Sequence, residues 1–366
     1  MMGNAPGHHC PQCGAPYRRR PVRTGERCLC GRCGAKLYGR SRLNTEHVLA
    51  LAITALVAYA VANSFPIVTL STQGLHSAAT LPESIAALWK GGRRLMAILV
   101  FVTAEAFPLI NLLAMVAISS CLLWGRRRWS TALFRLARRL RPWGMTEVFL
   151  LGVVVSLVKL SHLAEAVPGI GLWAFIALAV LLTVVQSVDL RRRPEEAHAV
   201  NGVDSLSRTW ALLLAAAILY VPANLLPIMK TSSLFGRHED TIISGVVYFW
   251  TSGSPGLAAL IFSVSILVPL MKMGALAYLA VSVQRRRSVN RRQCTHLYRL
   301  VEFVGRWSML DVFVVALMAG LVRFGSLMTV EAGPGALAFG TVVVLTMLAS
   351  HSFNPHLIWE FRHAED

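Results

Sequence analysis

Four cysteines near the start of the chain carry the clearest chemistry. Cys10-Pro-Gln-Cys13-Gly14 and Cys30-Gly-Arg-Cys33-Gly34 are two Cys-x-x-Cys-Gly knuckles separated by sixteen residues. Each knuckle turns two thiolates toward one point, and the following glycine relieves crowding in the turn. Four such thiolates suit a tetrahedral, structural zinc ion in a closed site. A redox dithiol pair fits less well, because the cytoplasm keeps thiols reduced and two knuckles converge as metal ligands do. Cys28 could replace Cys30, but only Cys30 completes the second knuckle; His8 and His9 could also compete for a ligand position. Cys121 and Cys294 stand alone and read as apolar or interfacial residues.

A second group of chemical interest lies inside apolar segments: Glu105, Asn111, Glu147, Lys272 and Asp311. A charge at membrane depth costs roughly 2.5–3.5 kcal/mol on insertion scales, so it needs a partner or a wet cavity. Lys272 is expected to pair with Asp311, since consecutive helices are usually neighbours. That pair either fixes helix packing or belongs to a polar network that lines a conduit or carries protons. Lys159 and Arg323 lie near helix ends, where long side chains snorkel to headgroups. His162 and His351 read as satisfied polar residues rather than proton carriers.

These residues sit on a repeat. Tyr59-Ala-Val-Ala62-Asn63-Ser-Phe-Pro66-Ile67 returns as Tyr220-Val-Pro-Ala223-Asn224-Leu-Leu-Pro227-Ile228. At the same offset Trp89 matches Trp250, Pro108 matches Pro269, Asn111 matches Lys272, and Glu105 falls opposite Ile266. At an offset three residues longer, Trp143-Gly-Met145-Thr-Glu147-Val-Phe149 matches Trp307-Ser-Met309-Leu-Asp311-Val-Phe313. Self-similarity at fixed spacing means two copies of one structural unit, and in a membrane chain the seam between copies is the usual substrate path. Asn63 with Pro66 and Asn224 with Pro227 end the first helix of each unit, either as a terminator with its own cap or as an outer gate. Proline frees the carbonyls of Ala62 and Ala223, which the asparagine amides could satisfy. Pro108 and Pro269 should kink the second helix of each unit and free the carbonyls of Ala104 and Ser265.

Composition sets the class. Hydrophobic residues are 55% of the chain and charged residues 15%, which excludes an ordinary soluble domain. Eight apolar stretches approach the length that crosses about 30 Å of hydrocarbon, near 46–66, 95–124, 143–163, 170–190, 208–229, 256–284, 308–327 and 335–353. The expected fold is an all-α polytopic membrane protein of eight transmembrane helices in two tandem, parallel four-helix units, with a small zinc ribbon in front. The divisions fall at 1–43 (ribbon), 44–190 (first unit), 191–207 (basic linker) and 208–366 (second unit). The formal net charge of +18 crowds at every second helix end, which reads as topology and headgroup contact rather than nucleic-acid binding. Both termini are then cytoplasmic. No cleavable signal peptide is expected, because the first forty residues are polar, basic and Cys-rich. No Gly-x-x-x-x-Gly-Lys-Ser/Thr, His-Glu-x-x-His or Gly-x-Ser-x-Gly motif occurs, so neither an ATP-driven pump nor a hydrolase is expected from this chain by itself.

Together the Cys-x-x-Cys-Gly ribbon, the duplicated Ala-Asn-x-x-Pro-Ile motif, the repeated Trp-x-Met-x-Glu/Asp-Val-Phe and the terminal Ser352-Phe-Asn-Pro-His-Leu-Ile-Trp359 resemble the paraquat-inducible protein A family. The resemblance covers nearly the whole chain. It implies a bacterial inner-membrane component of intermembrane lipid transport. Such a component loads phospholipid into, or receives it from, a periplasmic tube of MCE domains. An amphiphile is expected in the crevice between the units. The second unit commonly has its own ribbon in this family; here the linker from Arg191 to Gly202 has no cysteine. Asn354 stands where the family usually has Asp. Two other readings compete: a small-solute or proton-coupled transporter using the same seam, and a non-transporting scaffold for a periplasmic partner.

Overall fold

A computed structural model describes residues 8–10, 12–18, 20–39, 43–72, 75–124, 133, 137, 144, 146–160, 165–188, 202–233, 236–285, 290–321 and 328–359. The chain begins with two small antiparallel hairpins, β1 (His8–His9) with β2 (Pro16–Tyr17) and β3 (Arg27–Leu29) with β4 (Lys36–Gly39). One order of elements then occurs twice. In the first pass α1 (Thr45–Ser64) leads to a hairpin, β5 (Val68–Thr72) and β6 (Leu75–Ala79), and a short helix, α2 (Leu81–Lys90). A long helix, α3 (Arg94–Leu123), follows. Next come α4 (Thr146–Leu160), β7 (Glu165–Pro168) and α5 (Ile170–Ser187).

The second pass runs α6 (Gly202–Leu225), β8 (Met229–Ser233), β9 (Gly236–Asp240) and α7 (Ile242–Thr251). Its long helix, α8, joins Pro255–Phe262 through a π-helical turn to Val268–Gln284. Then come α9 (Arg291–Trp307), α10 (Leu310–Leu321), β10 (Met328–Ala332), α11 (Pro334–Ser352) and a 3-10 turn at Pro355–Ile358.

Six of these helices are long and apolar enough to cross a membrane: α1, α3, α5, α6, α8 and α11. The expected spans at 143–163 and 308–327 correspond to α4 and α10, whose 15 and 12 described residues reach roughly 22 and 18 Å at 1.5 Å per residue. The described part of α10 is enclosed by protein: Leu310, Val312, Phe313, Val314, Ala316, Leu317 and Met318 are each at most 3% exposed. It packs on α4, where Phe149 meets Phe313 edge-on with centroids 5.4 Å apart and Phe175 at 4.9 Å. A Cβ on Gly152 would lie 3.1 Å from Phe313 Cβ, so the two helices approach as closely as a glycine permits. At this contact the two passes meet in a filled apolar core.

The all-α expectation also needs correction. The loops after α1 and α6 form two three-stranded antiparallel sheets, ordered β6-β5-β7 and β9-β8-β10. Each central strand follows the Pro-Ile that stops a helix, and its alternating small and β-branched residues (Val68-Thr-Leu-Ser-Thr72) favour extended backbone. Thr80 and Thr241 then close capping boxes that start α2 and α7. Both sheets lie at the same end of the bundle, since α10 runs into β10 and also touches β6. The ribbon lies at the other end, against the last turns of α8 and the residues after α11.

Candidate functional site

The two knuckles have matching backbones. Cys10 N donates to Ala15 O and Gly14 N to Cys10 O; Cys30 N donates to Ala35 O and Gly34 N to Cys30 O. Gly14 and Gly34 take φ of 68° and 70°, a left-handed turn that glycine adopts without a Cβ clash. The Sγ atoms of Cys10, Cys13, Cys30 and Cys33 are buried and all lie within 4.8 Å of one another, with the Cys10–Cys33 and Cys13–Cys30 pairs at 3.6 Å. Sulfurs at 2.3 Å from a tetrahedral zinc stand about 3.8 Å apart, so the cluster fits a structural metal of that kind. Burial pushes the Cys13 thiol up, and the Cys33 thiol to about 11. At Cys30 burial acts the same way, yet the backbone amides of Cys33 and Arg32 hold the thiol down to about 7. Cys28 lies on β3 opposite Tyr38 and outside the cluster, which settles the choice between Cys28 and Cys30. His9 Nδ1 sits 3.0 Å from Gly14 O and is exposed.

The ribbon is docked on the second half of the chain. Arg299 on α9 donates to Gln12 Oε1 from Nε (2.9 Å) and Nη2 (2.6 Å), and its Nη2 also reaches Cys33 O at 2.9 Å. Arg292 Nε donates to Arg32 O at 3.2 Å, and the Arg32 guanidinium stacks 4.7 Å from the Trp359 ring. The four cysteines share an apolar cluster with Leu279, Val283, Tyr298, Phe353, Leu357 and Trp359. In the sequence, the terminal Phe353-Asn-Pro-His-Leu-Ile-Trp359 motif carried only a family resemblance. Its role here is to floor the ribbon, and Trp359 Nε1 fixes it by donating to Thr295 Oγ1 at 3.1 Å.

At the other end, the repeated Asn-x-x-Pro-Ile motif builds a joint. Asn63 Nδ2 donates to Tyr59 O (3.0 Å) and Asn224 Nδ2 to Tyr220 O (2.8 Å). The amides thus bond one turn below the carbonyls of Ala62 and Ala223 that they were expected to satisfy. Beyond the prolines, Gly171 N donates to Pro66 O and Gly335 N to Pro227 O, while Gly169 and Gly333 bond Ile67 O and Ile228 O. A Cβ on any of these four glycines would overlap a backbone carbonyl of the opposite segment. This Gly-x-Gly pair, at the start of α5 and α11, was missed in the sequence. Its signal was present, because Gly169 and Gly171 recur as Gly333 and Gly335 at the same offset as the Trp-x-Met motif.

The tyrosine that opens the motif separates the two passes. Tyr59 Oη donates to Glu105 Oε2 at 3.0 Å, and Tyr220 Oη to the backbone carbonyl of Ile266 at 3.1 Å. Glu105 is 9% exposed, and its Oε1 accepts nothing among the described residues. It lies in a π-helical turn, Phe101–Ala106, that ends just before Pro108; Ser263–Leu267 does the same before Pro269. The kinks expected at the prolines are thus widened turns, in which Phe107 N bonds Val102 O and Val268 N bonds Ser263 O.

Lys272 is 2% exposed, at mid-length of α8. Its Nζ donates to Thr346 Oγ1 on α11 at 3.1 Å. Gly305 on α9 makes room for it, since a Cβ there would lie 2.8 Å from Nζ. Three buried serine hydroxyls, on Ser119, Ser265 and Ser308, have no partner among the described residues. Asp311 falls in the first turn of α10, and its side chain lies outside those described, as do those of Lys159, His162 and Arg323. Asn111 is 5% exposed. Glu147 is exposed at the start of α4 and accepts from Thr183 Oγ1 at 2.8 Å, so it stands apart from Lys272 and Glu105.

Known proteins resemble this chain along its length. The family model for paraquat-inducible protein A matches twice, at residues 45–193 and 206–362. The intermembrane transport protein PqiA of Escherichia coli K12 is 33% identical, over 96% of this chain and 95% of that protein. The lipophilic envelope-spanning tunnel protein A of the same organism is 29% identical, over 96% and 90%. A probable intermembrane transport protein of Haemophilus influenzae is 29% identical, over 97% and 96%. No solved structure matches. With its two family matches covering both passes of the fold, the chain belongs to the paraquat-inducible protein A family.

Proposed function

We propose that this protein is the inner-membrane subunit of an intermembrane lipid transport system, one that loads phospholipid into, or receives it from, a periplasmic tube of MCE domains. The observation that carries the reading is Lys272. A lysine buried at the middle of a membrane span, bonded to a threonine hydroxyl, is retained at an energetic cost that packing alone does not repay. It sits in a chain whose relatives are named for intermembrane transport and for a lipophilic envelope-spanning tunnel. In this reading α4 and α10 are short spans, which gives eight in two tandem parallel four-helix units with both termini cytoplasmic. The unit limits are 44–190 and 208–366, joined by the linker at 191–207. The ribbon, 1–43, holds one structural zinc on Cys10, Cys13, Cys30 and Cys33.

The chemistry follows from charge placement. Lys272, with Asp311 and the hydroxyl of Thr346, forms the polar network of the second unit and offers a cation and a donor to a phosphate headgroup. Glu105 and Asn111 supply the first unit's counterpart, and Glu147 its rim. The widened turns before Pro108 and Pro269, and the Asn63–Pro66 and Asn224–Pro227 joints, are where the spans bend as a lipid passes. The path runs beside Lys272 within the second unit, because the α4–α10 contact is filled.

The test is delivery of isotope-labelled phospholipid between membranes by cells carrying Lys272→Met or Asp311→Asn. Delivery should fall to background while the protein stays folded and zinc-loaded. Wild-type delivery in both variants would overturn the reading. Recovery of an MCE-domain protein with bound phospholipid after mild crosslinking is the second arm, and its absence from an intact, metal-loaded protein would favour a scaffold or solute transporter.

A further inference from the structure

Helix α9 is not among the six span candidates, yet it carries an exposed apolar ridge. One face, Cys294, Thr295, Tyr298 and Val301, is buried against the neighbouring helices and the terminal turn. The stripe beside it changes character along the helix. Gln293 and His296 are exposed and polar. Leu300, Phe303 and Trp307 follow at steps of three and four residues on that stripe; they are 57%, 55% and 38% exposed, and the Trp307 ring lies 6.3 Å from that of Phe303. The polar end is strongly basic, with Arg291 and Arg292 in its first turn, preceded in the sequence by Arg285-Arg-Arg287.

We propose that α9 is a membrane-surface helix that enters the ribbon-side leaflet obliquely. Its Leu300–Phe303–Trp307 ridge lies among acyl chains, and its arginine-rich start lies among anionic headgroups. Three observations select lipid as the occupant. The helix follows a span candidate, since α8 ends at Gln284, and leads into the buried α10 at Leu310. Its apolar end carries aromatic rings of the kind that settle at the water–hydrocarbon boundary. Its other end has the charge that attracts anionic lipid. A soluble partner would have no reason to meet a stripe that turns from polar to apolar away from its arginine-rich start. The consequence reaches the ribbon: Arg299, on the same helix, holds Gln12 and Cys33 O, so the metal cluster is fastened at headgroup level.

The test places a benzophenone amino acid singly at positions 293, 296, 300 and 303 of the full chain. The protein is held in nanodiscs of phosphatidylethanolamine and phosphatidylglycerol, and intact masses are read after illumination. All four sites are exposed, so folding should survive, and retained zinc content checks it. Phospholipid adducts at 300 and 303, with none at 293 and 296, are expected. Adducts at all four sites would overturn the oblique placement. A covalent dimer, capture of a protein in native membranes, or no adduct at 300 and 303 would overturn the lipid assignment.

Discussion

The two passes of this fold share a frame and differ in what they bury. Both end their first helix at Asn-x-x-Pro-Ile, lock that turn against a Gly-x-Gly, and build the same three-stranded sheet. Inside the frame they diverge. The first places a carboxylate, Glu105, under Tyr59; the second gives Tyr220 only a backbone carbonyl and places Lys272 six residues further on, where the first has Asn111. The ribbon adds to the asymmetry, for it docks on α9 and the terminal turn of the second pass. Shared residues therefore carry shape, and the divergent ones set different polar groups inside it.

The ribbon provides the largest test of this division. Cys30→Ser should abolish metal binding, read as zinc content, and remove a contribution on the order of 10 kcal/mol to the ribbon's folding. Hydrogen exchange should rise in α9 and Pro355–Ile358 and stay unchanged in α5. Acid should act in the same direction on the wild type. The ligands are thiolates, and burial makes Cys13 and Cys33 hold their protons above the ordinary thiol value. Metal affinity should therefore fall steadily from about pH 8 to about pH 5, as protons compete for the sulfurs.

The shared frame should break equally on both sides. Gly169→Val and Gly333→Val each drive a side chain into a facing backbone carbonyl. Each should lower stability by more than about 4 kcal/mol, seen as loss of monodisperse protein in detergent. A large effect in one pass and none in the other would contradict the frame reading.

Arg299→Ala should leave zinc in place yet release the ribbon from α9. It removes three hydrogen bonds from a charged group, at about 2–3 kcal/mol. Protease cleavage between the ribbon and α1 should accelerate. The smallest difference lies between the tyrosines. Tyr59→Phe strands a buried carboxylate and should cost about 2 kcal/mol, against about 1 kcal/mol for Tyr220→Phe, whose partner is a backbone carbonyl. Thermal unfolding of the two single variants measures the gap.

Much of the frame was legible because its signals are local or periodic. The knuckles read directly from Cys-x-x-Cys-Gly spacing, and the repeat from matched Asn, Pro and Trp positions. The sheets were not read, because strands of five residues with Gly and Ser nearby resemble loops until their partners are known. Gly-x-Gly was overlooked for a related reason: a glycine announces a close approach only when the approaching carbonyl is in view. The pairing of Lys272 with Thr346 lay beyond sequence reasoning altogether, since the two are 74 residues apart.

The sequence by itself determined the long apolar helices, the duplication and the four cysteines that cluster. Helical hydrophobicity, proline stops and knuckle spacing act within a few residues of the chain. Only the tertiary structure decided that α4 and α10 meet through Phe149 and Phe313, that the described part of the ribbon rests on the second half, and that Tyr59 reaches a carboxylate as well as the backbone carbonyl that Tyr220 also meets. Those outcomes depend on which surfaces meet across hundreds of residues, where packing and hydrogen-bond satisfaction select among arrangements that the local code leaves equivalent.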